Sequence, residues 1–594
     1  MTDKLAQYRR AATPLPAVNR LWPLYGAGFE NFGVDGRPLS VAMPEYGPDE
    51  LLVRHDACSH CFSDVKVIRA GQNHPRIRRD MRQDPVVLGH EVSITVVGVG
   101  EALRDQYHLG ERFTIQADIF VNGVNSSYGY EIQGGLSEYT VIDQRVLNGD
   151  QGCYLIPLQK ADTGYAEAAL TEPWACVIAA YQLKYRTAPR PGGVMWIIGT
   201  ERAKNTYTFS RGFDAENHPA ELWLTNVPHG FAAWLRKRAA QLGIEVVAVP
   251  ELPDPATVIT DDTPVSPSTD RRAGGQGVDD IIFLGADPDI IERAGPNLAS
   301  YGIMAILDDA PMPRKVKVDV GRIHYNRWLY VGAGGQDIAA AYQSTPVRSA
   351  LKPGGKALFV GAGGPMGRMH VQAALQLKNS PAFIVCTDTN TERLNDLHDT
   401  FGLAAWSKGG ELVCLDPQDE EAYTAELEWL LNDGFENGGG FDDIVVLTPA
   451  TSAIADAATY LAPQGVMNIF AGVPRGKVAN IDLSDVYLKQ VRIIGHSAST
   501  IENMRVMLEQ TEKGLLSPNR SVAAIGSLEA AYDGLQAVAN TLYPGKIVIY
   551  LHIQPLPLTS LPNLKTVLPT VYAKLRDGHE WTNEAEAELL RVML

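Results

Sequence analysis

Three short stretches carry residues able to hold a metal ion. Cys58 and Cys61 are spaced C-x-x-C, and Ser63 and Asp64 follow directly. Gly89-His90-Glu91 comes next, and Glu172 stands before Pro173 further on, in a stretch (170–176) that reads as the opening of a helix. One thiolate, one imidazole and one or two carboxylates form a donor set suited to zinc. Three protein ligands with a fourth position open make a site that does chemistry rather than one that braces the fold. Two plainer readings stand beside this. Cys58 and Cys61 could be half of a structural zinc knuckle, although no second C-x-x-C occurs in the chain. His90 could equally be a core histidine and Glu91 a surface charge.

A second stretch is built to approach a phosphate. The apolar run 357–360 reads as a buried strand and is followed by Gly361, Gly363, Gly364 and Gly367; a helical pattern continues through His370, Ala373 and Leu377. Glycines permit a tight strand-to-helix turn and close approach of the backbone, and the helix N-terminus offers free N–H groups to an anion. The next apolar run ends in Asp388, 21 residues past Gly367, where a carboxylate accepts both ribose hydroxyls of a dinucleotide. That carboxylate repels a 2′-phosphate, so NAD is favoured over NADP. The cofactor set is Gly361, Gly363, Gly364, Pro365, Met366 and Gly367, with Asp388 and Arg393 beyond the turn.

These motifs, Cys61-Phe62-Ser63-Asp64, Gly89-His90-Glu91, Glu172-Pro173 and the Gly361 turn, resemble in kind and order those of the zinc-dependent medium-chain dehydrogenases. The likeness is strongest to their polyol branch, that of sorbitol and L-threonine 3-dehydrogenases, over most of residues 35–190 and 350–555. The resemblance implies that Cys61, His90 and Glu91 bind one catalytic zinc. It places Glu172 beside them as a fourth ligand or a partner of bound water, Ser63 as the proton-relay hydroxyl, and Asp64 as the group orienting a ligand imidazole. Lys66 stands where many relatives carry a relay histidine; it relays protons, contacts substrate or is simply solvated. The four-cysteine lobe of many relatives is replaced by residues 117–130, which hold no cysteine, so no structural zinc is expected. Between the ligands lie Arg69, Arg76, Arg78, Arg79 and Arg82. Arginine suits phosphate, which makes Arg76 and Arg78 candidate substrate contacts; the alternative is a solvated loop balanced by Asp80 and Asp84. Residues 322–325 with the glycines after them resemble a stretch of sugar-phosphate reductases of the L-sorbose 1-phosphate type.

The middle of the chain contains one unit twice. Residues 191–199 match 353–361 and residues 221–226 match 383–388, both at 162 residues, while 278–284 match 441–447 and 298–304 match 461–467 at 163. Each copy reads as a doubly wound parallel-sheet domain of Rossmann type. The first copy keeps Gly199 but has Glu201, Arg202, Lys204 and Asn205 in the turn and Asn226 in place of Asp388; it is expected to fold and not to bind NAD. Val331-Gly-Ala-Gly-Gly335 falls at a terminal strand and is discounted as a dinucleotide site. Residues 250–277 read as a surface loop, 525–535 as a helix and 545–553 as a strand. Amphipathic segments close the chain at 567–575 and 584–594. The expected division is a GroES-like, β-rich zinc domain over 1–188 completed by 519–556, a degenerate Rossmann-like domain over 189–350, an NAD-binding Rossmann domain over 351–518 and a tail over 557–594. The terminal strands of the two copies, 328–331 and 491–494, are predicted to meet edge to edge as an intramolecular pseudo-dimer, with the first copy clear of the zinc cleft.

At 594 residues the chain exceeds one core, and a formal charge of −17 argues against nucleic acid or an anionic membrane as partner. Six cysteines form no disulfide framework and, with the start lacking an apolar leader, place the protein in the cytoplasm. The reading is an NAD- and zinc-dependent dehydrogenase of a secondary alcohol on a polyol, sugar or sugar phosphate. The alternative is an epimerase or lyase that oxidises transiently and keeps its NAD.

Overall fold

The computed structural model describes residues 4–252, 277–343, 348–378, 380–432 and 439–594. The loop expected over 250–277 therefore lies almost entirely outside the described residues. Two sheets carry the rest of the argument. The first has the strand order Leu155–Pro157, Arg112–Ile115, Glu91–Val99, Leu51–Ser59, Lys546–Tyr550, Val522–Ser527 and Thr559–Ser560, with Tyr139–Ile142 also paired to Leu51–Ser59. The chain thus leaves this sheet after residue 157 and returns to it after 520. Leu51–Ser59 is buried along its whole length, because sheet neighbours flank it and helix Tyr165–Ala180 packs on it.

Twelve strands form the second sheet. In chain order the first six are Val194–Gly199, Glu221–Thr225, Glu245–Ala248, Val278–Leu284, Leu298–Leu307 and Leu329–Ala333, here β1 to β6; the next six are Lys356–Val360, Phe383–Thr387, Glu411–Leu415, Phe441–Val446, Leu461–Ile469 and Arg492–Gly495, here β7 to β12. Their spatial order is β3-β2-β1-β4-β5-β6-β12-β11-β10-β7-β8-β9. Within each half every pairing is parallel, as in nucleotide-binding sheets. Strands β4 and β10 are buried at every residue, as strands covered on both faces must be. The halves agree in register as well as order: Met195 pairs with Asp280 as Ala357 pairs with Asp443, and Ile303 pairs with Leu329 as Val466 pairs with Arg492. Even an ion pair recurs, Arg186 with Asp280 and Arg348 with Asp443.

The halves join where β6 runs antiparallel to β12, Leu329 opposite Ile494 and Tyr330 opposite Ile493. A second antiparallel pair, Val316–Asp319 with Val478–Ile481, crosses between them nearby. Two sheet edges that would otherwise expose unpaired backbone groups close on each other, and Trp328, Tyr330 and Ile493 share one apolar core across the joint.

Three elements differ from expectation. Residues 170–176 lie inside helix Tyr165–Ala180 rather than opening it. Pro173 reads as a start signal because proline lacks the N–H an interior position uses. The true start is fixed by the Glu586 carboxylate, which accepts from the N–H groups of Tyr165 (2.6 Å) and Ala166 (2.8 Å). Residues 522–527 are a strand, and the helix begins only at Ala531, since a short buried apolar run has no distinguishing period. Residues 557–594 are no loose appendage: Thr559–Ser560 joins the first sheet and helix Asn583–Met593 packs Leu589 and Leu590 into its core.

Candidate active site

Helix Phe62–Ala70 begins directly after Cys61, and its start is built by Asp64. One carboxylate oxygen of Asp64 accepts from the Cys61 N–H at 3.0 Å and the other from His90 Nδ1 at 3.1 Å. One buried carboxylate therefore orients both the thiol-bearing residue and the imidazole. Gly89 has φ 96, and a Cβ there would fall 2.7 Å from the Cys58 sulfur, so only glycine lets the chain turn into His90. Cys58 thus packs behind the site as a buried thiol and does not join the ligands.

Cys61 Sγ, an imidazole nitrogen of His90 and a carboxylate oxygen of Glu91 all lie within 4.8 Å of one another, the group of metal-ligating side chains found among the described residues. Glu91 is fully buried; Oε1 accepts from Lys546 Nζ at 2.6 Å, while Oε2 has no hydrogen-bond partner. Lys546 also donates to the His60 carbonyl at 2.8 Å. Burial disfavours its charge, but Glu91, Cys61 and Glu172 together hold its pKa above the ordinary lysine value. A buried carboxylate with one oxygen unpartnered, grouped with a thiol and an imidazole, is what a cation would complete, and a sulfur, nitrogen and oxygen set fits zinc. Cys61, His90 and Glu91 would hold it.

Glu172 is not within that cluster, but it senses it: burial first, then the Glu91 charge, push its carboxyl up to about 7 against the opposing pull of His90 and Lys546. Its neighbour Cys176 approaches it at 3.8 Å. Ser63 Oγ lies 3.5 Å from Cys61 Sγ, so the hydroxyl stands at the ligand cluster. Lys66, one turn along the same helix, is partly exposed.

Helix Tyr165–Ala180 packs against Pro365–Gln376, the helix that follows the glycine turn, and so ties the metal cluster to that turn. Gly361 has φ 80 and donates to the Thr387 carbonyl at 2.7 Å. A Cβ at Gly367 would sit 2.2 Å from the Ala362 carbonyl oxygen, whereas one at Gly364 would meet nothing within 4 Å. The first glycine permits the turn, Gly367 the close packing of helix on strand, and Gly364 leaves open space above the helix N-terminus, beside Pro365 and Met366. Asp388 Oδ2 accepts from the Gly363 N–H at 2.9 Å, so the carboxylate reaches the turn across the sheet edge. Arg393 is placed differently: its guanidinium bonds the carbonyls of Thr541 and Tyr543, bracing a loop of the first sheet's domain.

The corresponding turn of the first half is filled. Arg202 donates to the carbonyls of Ala286 (3.1 Å), Pro311 (3.1 Å) and Ala310 (2.7 Å) and pairs with Asp308 at 2.9 Å. Lys204 pairs with Asp309. These side chains occupy the space at the carboxyl ends of β1, β4 and β5.

The arginine loop is likewise committed. Arg76 pairs with Asp118 at 2.8 Å, and Asp118 also accepts from Asn125 and Ser127, so this network organises the cysteine-free lobe 117–130. Arg78 bonds the Asn125 carbonyl and, through its N–H, Glu131. Sequence reasoning missed Lys546 and the approach of Tyr325 to Lys66. The expectation that the first half stands clear of this cleft is corrected by Tyr325: a Cβ on Gly472 would lie 3.0 Å from Lys66 Nζ and 3.2 Å from Tyr325 Oη.

Residues 47–148 match the alcohol dehydrogenase GroES-like domain. Mannitol-1-phosphate 5-dehydrogenase of Aliivibrio fischeri is 27% identical over 312 residues, covering 49% of this chain and 70% of that protein. L-sorbose 1-phosphate reductase of Klebsiella pneumoniae is 25% identical over 315 residues, 51% of this chain and 73% of that protein. Sorbitol dehydrogenase of Bos taurus is 39% identical over 84 residues, 14% of this chain and 22% of that protein. The structure of 2R,3R-butanediol dehydrogenase from Bacillus subtilis aligns with TM-score 0.49 at 15% identity over 90% of this chain and 99% of that one. The alcohol dehydrogenase GroES-like match thus covers the part of the chain that carries Cys61, His90 and Glu91. Cys61, His90 and Glu91 form a candidate metal centre in the GroES-like part of the chain, and the second half of the large sheet carries the candidate dinucleotide turn.

Proposed function

We propose that the protein interconverts a secondary alcohol and a ketone on a polyol or sugar skeleton, with the second half of the large sheet as its NAD domain. The observation that carries this is the Cys61, His90 and Glu91 cluster, in which Glu91 keeps an unpartnered oxygen and which would hold a cation. When bound, zinc supplies Lewis acidity towards an alcohol oxygen and NAD accepts the hydride. The chain's own residues do the rest. Asp64 fixes the His90 tautomer, Lys546 neutralises the Glu91 charge, and Ser63 stands where the alcohol proton leaves. Sugar or polyol chemistry is supported by the relatives, two of which are named for phosphorylated hexitol or ketose substrates.

The division into domains at 1–188 with 519–556, 189–350, 351–518 and 557–594 belongs to this reading, amended by the packing of the tail. So does the origin of the two halves in duplication, supported by equal strand order, equal register and the repeated arginine–aspartate pair. The first half is then a degenerate copy whose cofactor crevice Arg202 has filled, and β6 with β12 forms an intramolecular pseudo-dimer joint. The test is a panel of polyols, sugars and their phosphates with NAD, followed by NADH absorbance. Turnover of at least one that disappears on metal chelation and returns with zinc supports the reading; turnover indifferent to chelation overturns it.

A further inference from the structure

Four of the six cysteines serve the first sheet's domain. Cys61 belongs to the metal cluster, Cys58 packs behind it, Cys176 approaches Glu172, and Cys153 meets the Tyr107 hydroxyl at 3.6 Å. The other two, Cys386 and Cys414, are free thiols that face each other in the second half of the large sheet. Cys386 lies on β8 and Cys414 on β9, and they are register partners in a parallel pair. Residues so paired project from one face of the sheet. Both thiols pack into the same apolar cluster, with Leu397, Phe401 and Ala405 of helix Thr391–Ser407. Cys386 is fully buried, whereas Cys414, on the outermost strand, is partly exposed.

The two halves of the sheet differ at this place. Leu224, 162 residues before Cys386, pairs with Ala248 on β3 as Cys386 pairs with Cys414 on β9. The thiol pair therefore stands in the half whose turn is open, and its counterpart in the other half is aliphatic. It also stands next to that turn. The Thr387 carbonyl accepts from the N–H groups of Gly361 (2.7 Å) and Ala362 (2.9 Å). Asp388 donates its own N–H to the Leu415 carbonyl at 3.4 Å, while its carboxylate accepts from Gly363. The end of β8 thus grips the turn on one side and β9 on the other. Neighbouring strands run roughly 4.8 Å apart, a Cα separation that a disulfide tolerates, but the bond brings its Cβ atoms to about 3.8 Å. Closing it draws β8 and β9 together one residue before Thr387. Burial first, then the adjoining Cys414 thiol, push the Cys386 pKa well up, and Cys414 is the thiol that solvent reaches.

We propose that Cys386 and Cys414 form a reversible disulfide on exposure to a hydroperoxide, and that this bond lowers the affinity for NAD. The Cys414 sulfur attacks the peroxide O–O bond and becomes a sulfenic acid, while its proton leaves with the other oxygen as water or an alcohol. The Cys386 sulfur then attacks the sulfenic sulfur. The S–O bond breaks, the hydroxyl departs with the Cys386 proton as water, and the two thiols have given two electrons to the peroxide. A dithiol reductant reverses the step by exchange. The effect on NAD rests on the second half being the NAD domain; the bond between the two sulfurs does not.

The test is calorimetric titration of the full-length, zinc-loaded protein with NAD before and after hydrogen peroxide, with peptide masses read on the same samples. The expected result in the wild type is a linked pair of peptides carrying Cys386 and Cys414, lighter by two hydrogens than the free peptides. NAD affinity falls about tenfold, and dithiothreitol restores both. Cys414→Ala, which installs the residue found at the first half's matching position, and Cys386→Ala are each expected to hold their NAD affinity within about twofold through the same treatment. Absence of the linked peptides, a link that leaves NAD affinity unchanged, or a loss in both variants equal to that of the wild type overturns the proposal. A reduced wild type that binds no NAD overturns the cofactor reading and the effect on NAD together, and the peptide masses tell that failure from a failure of the thiols to join.

Discussion

The two crevices of the twelve-stranded sheet share a strand order and a register yet differ in what fills them. Above β7 the turn is open: a Cβ at Gly364 would have no neighbour within 4 Å, and Asp388 faces the turn. Above β1 the turn carries Arg202, spread over three carbonyls and Asp308. The matching helices diverge as well: Tyr487 is buried and donates to the Ala310 carbonyl at 2.7 Å, closing the first crevice, whereas His324 at the same register position is bonded to the Ile469 carbonyl. The lesson is that strand pairing depends on backbone and apolar faces, which both halves keep, whereas an open crevice depends on a few residues being small.

The contrast breaks most completely at the metal. Cys61→Ser is expected to lose most bound zinc and at least about a hundredfold in kcat, the scale of removing preorganised charge stabilisation, with the fold retained by circular dichroism. Zinc content equal to wild type would remove Cys61 from the ligand set. Lys546→Met leaves the Glu91 charge buried and unpaired, at a cost of about 3–5 kcal/mol in the domain that only the second crevice faces. Denaturant titration of the metal-free protein should show this loss, and added zinc should recover part of it. Next comes the cofactor. Asp388→Ala is expected to weaken NAD about tenfold to a hundredfold, the worth of charged hydrogen bonds of about 1.5–3 kcal/mol, while Asn226→Ala leaves NAD affinity unchanged. Comparable losses at both positions would mean that the crevices share the cofactor. The smallest effect is expected from Arg202→Gly. It should lower stability by about 1–2 kcal/mol through a half-exposed ion pair and lost carbonyl bonds, and NAD should still bind at one per chain. Two bound NAD would show that Arg202 alone shuts the first crevice.

What the sequence revealed follows the distance over which each feature is encoded. Cys61, Asp64, His90 and Glu91 were legible because two short motifs hold them. The repeat was legible because register preserves the spacing of buried strand residues, as in Val278–Leu284 and Phe441–Val446. Lys546 was not, since its ion pair with Glu91 spans 455 residues and a lone lysine in a strand carries no sign of its partner. The start of helix Tyr165–Ala180 is hidden for the same reason: its N–H groups are satisfied by Glu586, 421 residues away, while Pro173 gives a strong local signal. Arg76 and Arg78 stand out as an arginine cluster, yet Asp118 and the Asn125 carbonyl that occupy them are invisible in a string of residues.

The joint between β6 and β12 also bears on inheritance. When two identical subunits meet on a twofold axis, each mutation appears on both sides of it and must suit both. Here the two sides are encoded separately, so His324 and Tyr487, which share a register position, are free to differ. Tethering in one chain also makes the pairing of β6 with β12 indifferent to dilution.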